Sequence, residues 1–558
     1  MIKAFKKTYF ILLPLAVTVL SLALHMTRFV INDDIGLLLI AESFKTNAHS
    51  EQLLFMSVLY GYLLKLLYNL IPSINWFLLL ELGVLNIGFI SLFRLSQKLE
   101  YKIVSASALI ISQFFILANL TFTSISFVVL TAGMLWYFVN VDKLNKESIK
   151  HILFTLVLFL LGLGMRRDDT FLFISLLFAA VFGITFLKKK KSFLAILLVF
   201  AICFGSNYFF GFTQSFYNSH LEDNQYFYEL NKVRSDANDG GVFNYKAHKD
   251  EFLEVGLSKN DYKLASHWLY ADKNVFTIEA FKKIGEVRSF DEKYNTDIKA
   301  LYKEITSQNT LLLFVAILLL MLIIEFILLK SGRLEAAAAM LMTLFGAFYI
   351  YFRRRGVERV ACPIVLCGIL TLLYIFLANL GGVKERFKRL DKKPVNAIFA
   401  ILCAVCIALS FGYNVKTAKT IDKKAERVQG IVDYVNENED KLFISDAYAI
   451  DKYRVYHANK NIIKPYSNSD FRIYSILGNW NIYTAYYYDN LDRLGIGEYS
   501  EALMKVLLKD DVYFITKKFK PEDIVKYFDE NYDLKVGYKT VTEFDNLNTK
   551  IYDFYVNE

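Results

Sequence analysis

The chain has 558 residues, 55% of them hydrophobic and 16% aromatic, with only 6 prolines and a mean hydropathy of +0.33. That balance excludes disordered, collagen-like and disulfide-scaffold proteins. The formal charge of +9 is scattered between apolar runs instead of forming one basic face, which excludes nucleic acid as a partner.

Long apolar runs separated by short basic clusters predict a polytopic α-helical membrane protein. The first run, 9–30, follows Lys3, Lys6 and Lys7, so its N-terminus is expected in the cytoplasm, with Asn32, Asp33 and Asp34 just outside. It is too long for the apolar core of a signal peptide and is read as an uncleaved helix. Further spans are expected at about 76–93, 103–122, 123–141, 151–165, 170–187, 192–212, 309–329, 334–352, 361–380 and 394–412. The segment 53–71 carries Lys65, Ser57, Tyr60 and Tyr62 and suits an interfacial helix. Counting it so leaves about eleven spans and puts Lys188–Lys191 and the basic run 384–393 on the cytoplasmic side, as the positive-inside rule requires. The five cysteines all fall in apolar segments and are read as packed thiols, the Cys403/Cys406 pair included.

This topology puts the acidic loop at 31–52, the Arg166-Arg167-Asp168-Asp169 run, a loop at about 213–308 and the tail from about 413 outside the cytoplasm. The protein is thus expected in a bacterial plasma membrane, with a membrane domain over 1–412 and an extracytoplasmic domain over 413–558. The loop reads as helical, with Ser258 or Asn260 and Thr277 as caps and Glu279 in a first turn. The tail alternates helices with strands at 441–446, 512–516 and 550–556, which predicts a small α/β domain. It holds no phosphate-loop or dinucleotide motif. Asp446 and His457 read first as core or surface residues.

Asp33 and Asp34 are the sharpest chemical feature. A carboxylate directly outside a membrane helix can take the proton of an acceptor hydroxyl, and two together can hold a divalent cation such as Mg or Mn. Arginines emerge at the same side: Arg166 at one helix end, and Arg353, Arg354, Arg355 and Arg359 at another, against the positive-inside trend. Arginine forks match phosphate oxygens, and at lipid depth they suit a lipid-linked phosphate. His49 and Glu51 follow the acidic pair and can line the same cavity, and Asp168 and Asp169 can hold the arginines in place.

The arrangement resembles the GT-C superfamily of integral membrane glycosyltransferases. The likeness lies in Asn32-Asp33-Asp34 after the first helix, the interfacial candidate 53–71 after it, the run Arg353-Arg354-Arg355-Gly356-Val357-Glu358-Arg359 at an outer helix end, and a domain after the last span. The His-Pro-Pro and Trp-Trp-Asp motifs of some branches are absent; His49-Ser50-Glu51 stands near the place of the former. The resemblance implies a polyprenyl-phosphate-linked sugar donor, a glycan or lipid-linked acceptor from the cell envelope, and transfer with inversion. By it, Asp34 serves as base, with Asp33 as metal ligand or positioning group, or the two in reverse. The arginines neutralise the leaving phosphate, and Tyr226, Tyr228, Trp268 and Tyr270 are either sugar-stacking platforms or core. A lipid-linked polysaccharide polymerase would show the same body and external arginines. A transporter or flippase would need mid-membrane charges, and the spans carry few, Glu81 and Glu325 among them.

Overall fold

The computed structural model describes residues 2–29, 32–42, 50–98, 102–188, 191–220, 223–238, 245–294, 302–303, 305–329, 331–352, 358–379, 393–449 and 472–557. Among these, 8 helices are long and apolar enough to cross a membrane, and three shorter apolar helices accompany them. Together they account for the expected set, and the protein is a polytopic integral membrane protein. In chain order the bundle comprises α1 (Ile2–Ala23), α4 (Trp76–Ser96), α5 (Lys102–Ala118), α6 (Phe122–Asn140), α7 (Ile149–Met165), α8 (Asp168–Leu187) and α9 (Phe193–Ser219), then α14 (Asn309–Leu328), α15 (Arg333–Phe352), α16 (Glu358–Asn379) and α17 (Lys393–Glu437). Two short helices, α2 (Asn32–Ala41) and α3 (Val58–Leu70), lie between α1 and α4. The second falls within the segment expected at the interface.

The first helix stops at Ala23 instead of running through the apolar residues up to 30. His25 turns the chain at a left-handed φ of 51°. Met26–Phe29 then continue extended, with the Arg28 N–H donating to Leu117 O at 3.0 Å and the Leu120 N–H to Arg28 O at 2.8 Å. The backbone groups of this apolar stretch are thus satisfied by the end of α5, an alternative that hydropathy does not see. The expected last span, 394–412, continues into the tail as one helix of 45 residues. At 1.5 Å per residue it is on the order of 70 Å long, enough to leave the membrane and enter the extramembrane body. There its Asp422 accepts from buried Arg28 at 2.9 Å, which ties the last helix to the segment after the first.

The loop after α9 is helical as expected: α10 (Asp223–Asn238), α11 (Lys249–Glu254), α12 (Lys259–Ala265) and α13 (Ile278–Tyr294). Ser258 forms a capping box with Asp261, and Thr277 accepts the Ala280 N–H at 3.1 Å. The tail forms a five-stranded mixed sheet, with α18 (Ala485–Arg493) and α19 (Pro521–Tyr532) beside it. Its strands β1 (Leu442–Ser445), β2 (Ile473–Tyr474), β3 (Val512–Thr516), β4 (Val536–Phe544) and β5 (Thr549–Val556) lie in the order β2-β1-β3-β5-β4. β1 is parallel to β2 and β3, and β5 is antiparallel to β3 and β4. The edge strand β4 escaped the sequence reading because most of it faces solvent and its apolar alternation is weak.

Loop and tail share one hydrophobic core, in which Tyr270, Phe281, Leu477, Phe514 and Tyr527 are all buried. The backbones interlock there as well, with the Tyr270 and Ala271 N–H groups both donating to Leu477 O at 2.9 and 2.8 Å. Gly478 permits this approach: a Cβ at that position would lie 2.0 Å from the Trp268 carbonyl oxygen. Apolar burial therefore joins two sequence-distant pieces into one extramembrane body at one end of the bundle.

Candidate active site

The acidic pair opens α2 instead of lying in a loop. Carboxylates in a first turn are favoured by the helix dipole, and the residues that follow, Ile35 and Leu37–Ala41, are buried. Successive residues of a helix point about 100° apart, and the two acids part company accordingly. Asp34 turns inward, is 0% exposed, and accepts the backbone N–H of Phe122 at 2.9 Å through Oδ1. Phe122 begins α6, so the carboxylate occupies a helix N-terminus. Burial holds the Asp34 carboxyl well above the ordinary aspartate range; the Phe122 N–H and Arg359 oppose that, and Asp33 adds to it. Asp33 stays partly exposed, and the Arg359 guanidinium meets its Oδ2 at 3.1 Å. Their side chains remain 16% and 33% exposed.

Arg166, just past the end of α7, lies over Phe55 at 5.2 Å and over Phe122 at 5.6 Å. Those two rings are themselves stacked, 5.9 Å apart with 5° between planes. The cationic plane is thus carried on aromatic faces beside the helix end that receives Asp34. The extramembrane body reaches the same place: Trp480 packs on Phe55 at 5.1 Å and covers Gly36 of α2. Contacts thus link Arg359 to Asp33, Asp34 to Phe122, and Phe122 through Phe55 and Arg166 to the tail tryptophan, which also lies on α2.

The other candidates are placed differently. Glu51 accepts from Lys65 Nζ at 2.7 Å and from Tyr217 OH at 3.2 Å, fastening α3 to α9. Asp168 pairs with Arg167 at 2.9 Å and is 75% exposed. Tyr270 is buried and donates to Asn479 O, a core role that leaves no face for a sugar. Trp268 lies under Arg234, Tyr226 against Tyr483, and Tyr228 beside Gln52 and Gln214. His49, Arg353, Arg354, Arg355 and His457 fall outside the described residues, as does the side chain of Asp169.

Sequence reasoning missed Phe55, Phe122 and Trp480. Phe122 acts through its main-chain N–H, which carries no side-chain signature, and the aromatics are indistinguishable from core in so aromatic a chain. A divalent cation does not fit the described groups. Asp33 is engaged by Arg359 and Asp34 by a backbone N–H, and no cluster of three or more His, Cys, Asp or Glu residues suited to a metal occurs among the described residues.

The class that fold and site define is a polytopic membrane protein with a charged, aromatic-lined site where the bundle meets its extramembrane body. No protein-family profile matches the chain, and neither does any curated protein. Among solved structures, the chain is similar to ArnT from Cupriavidus metallidurans bound to undecaprenyl phosphate, at 10% identity over 98% of both chains with a TM-score of 0.35. The superposition is loose.

Proposed function

We propose that the protein is a membrane glycosyltransferase of the GT-C type, moving a sugar from a polyprenyl-phosphate-linked donor to an acceptor hydroxyl of the cell envelope. The observation that supports this most directly is the Asp33–Arg359 pair. It sets a carboxylate able to take a proton beside a guanidinium able to hold phosphate, at the opening of a membrane bundle and under an extramembrane body.

Exposure supports one division of roles. Asp34 is sealed off and anchors α2 on the start of α6, whereas Asp33 is open to an incoming hydroxyl. This difference supports Asp33 as the base and Asp34 as the positioning group, the second of the two orders that the resemblance allows. The donor phosphate competes with Asp33 for Arg359, and Arg166 stands beside it as a second cation. As the acceptor oxygen bonds to the anomeric carbon, its proton passes to Asp33. The bond from that carbon to the phosphate oxygen breaks with its electron pair going to the phosphate, and the configuration inverts. Arg359 stabilises the charge that develops there, a contribution worth roughly 2–4 kcal/mol for a well-placed donor.

The test is a donor screen with purified protein in lipid nanodiscs, using undecaprenyl-phosphate-linked sugars and extracted envelope glycans as acceptors. Transfer is expected from at least one donor, lost in Asp33→Asn and strongly reduced in Arg359→Gln. Native mass spectrometry should show a polyprenyl phosphate on the wild-type chain. Absence of both transfer and bound polyprenyl phosphate defeats the proposal.

A further inference from the structure

The interior behind Asp34 holds three carboxylate oxygens without a hydrogen-bond partner among the described residues: Oδ2 of Asp34 and both oxygens of Glu81. Both residues are 0% exposed. Glu81 stands on α4, which packs against α2, and among the described residues the charged group that acts on its carboxyl is Asp34. From the side of α2, Asp34 also faces Asp33 and, across the opening, Arg359. Where α1 and α5 meet the middle of α4, Thr18, Asn86 and Gln113 are neutral and bonded to one another, and the charged group of that contact, Arg94, lies near the far end of α4 over Phe10. No described cation reaches Glu81.

Leaving a buried acceptor unpaired costs about 1–3 kcal/mol, and two bare carboxylates in one closed interior would cost more. A single proton between the two acids removes both penalties. It turns one carboxyl into a donor and gives the orphan oxygens a partner, directly or through one buried water, for which three acceptor oxygens suffice.

We infer that Glu81 is a positioning residue of the site. Its carboxyl shares a proton with Asp34 Oδ2 and so fixes the first turn of α2, the turn that presents Asp33 to the acceptor. Asp34 is then held on two sides, by the α6 N-terminus through Oδ1 and by α4 through Oδ2. Only the catalytic consequence rests on the glycosyltransferase reading; the shared proton does not.

Infrared difference spectroscopy of the full chain in nanodiscs tests the shared proton without any substrate. The carboxylic-acid carbonyl band is expected to vanish in Glu81→Gln and to shift in Asp34→Asn. A Glu81→Gln spectrum identical to that of the wild type, or a Glu81 band unmoved by Asp34→Asn, overturns the inference. In the transfer assay Glu81→Gln, which keeps a donor, should stay within about threefold of wild-type kcat. Glu81→Leu should lose at least about tenfold in kcat at unchanged donor KM, as expected when a reacting group is misplaced. Equal activity of the Gln and Leu variants overturns the positioning role. If Asp33→Asn itself transfers normally, the glycosyltransferase reading fails, and the infrared coupling still decides the Asp34–Glu81 pair.

Discussion

Buried acids are treated in opposite ways in the extramembrane body and beside α2. In the extramembrane body Asp446 is 0% exposed, and each of its oxygens is satisfied. Oδ1 accepts from the Tyr448 and Ala449 N–H groups at 2.8 and 2.7 Å, and Oδ2 from Thr516 Oγ1 and the Lys517 and Lys518 N–H groups at 2.5, 3.0 and 3.2 Å. Asp272 is equally enclosed, with Tyr527, Tyr532 and the Asn274 N–H as donors. At the bundle end Asp34 has one donor, and Glu81 has none among the described residues. A saturated buried carboxylate fastens chain segments together. One left with bare oxygens is destabilising, and persists where it serves something else. Under the glycosyltransferase proposal, this contrast separates acids that fasten the fold from acids that serve the site, without reference to any motif.

The largest expected effect falls on activity alone. Asp33→Asn should lower turnover by about 10²–10⁴, the usual contribution of a positioned base, while thermal unfolding shifts little because its ion pair is partly exposed. Parallel loss of activity and folding would place Asp33 with Asp446 and collapse the distinction.

The next effect falls on stability. Asp446→Ala strands several donors at the junction of β1 and β3 and should cost about 3 kcal/mol or more. Asp34→Asn keeps an acceptor for the Phe122 N–H and gains a donor toward Glu81, so its unfolding temperature should barely move. Equal destabilisation by the two substitutions would contradict the division drawn above.

How much of this was legible beforehand follows from the same physics. Hydropathy located nearly every bundle helix, because lipid demands long apolar runs of each. It overran the first helix, because residues 26–29, Thr27 and Arg28 included, stay buried in an extended segment. The acidic pair and Arg359 stood out by charge at a membrane boundary. Glu81 was visible as a charge within a span, yet its nearness to Asp34 depends on how α2 folds back on α4, which no local pattern encodes. The shared core of loop and tail was illegible for the same reason: apolar periodicity tells which face is buried, not against what.

Glu42, just past the other end of α2, sharpens the comparison through pH. It accepts from Tyr68 OH at 3.2 Å, Tyr68 in turn accepts the Phe77 N–H at 3.1 Å, and its second oxygen is bare. Burial pushes its carboxyl up to about 8. The folded state therefore binds the proton more tightly than the unfolded state does. The resulting stability is complete below the ordinary glutamate range and is lost as pH rises to about 8, by roughly 1 kcal/mol per pH unit. Unfolding temperatures of wild type and Glu42→Gln should thus diverge as pH is raised, with the wild type falling. Parallel curves would mean that Glu42 is solvated like an ordinary surface acid.

The smallest effect tests whether the two halves act on each other. A Cβ on Gly36 would lie 2.7 Å from Cζ2 of Trp480, closer than side-chain atoms tolerate. Gly36→Ala must therefore push Trp480 off Phe55 or tilt α2 away from the extramembrane body. Overpacking of this kind costs about 1–3 kcal/mol, partly offset by the better helix propensity of alanine. Trp480→Leu shortens the opposing side chain and should restore most of that loss, a coupling that a double-mutant cycle measures directly. Because Gly36 lies on the helix that carries Asp33, the same pair should couple in the transfer assay if the tail tryptophan holds the site in place. Additive effects on stability and on transfer would instead make the contact between Trp480 and α2 incidental, and the extramembrane body a passenger on the bundle.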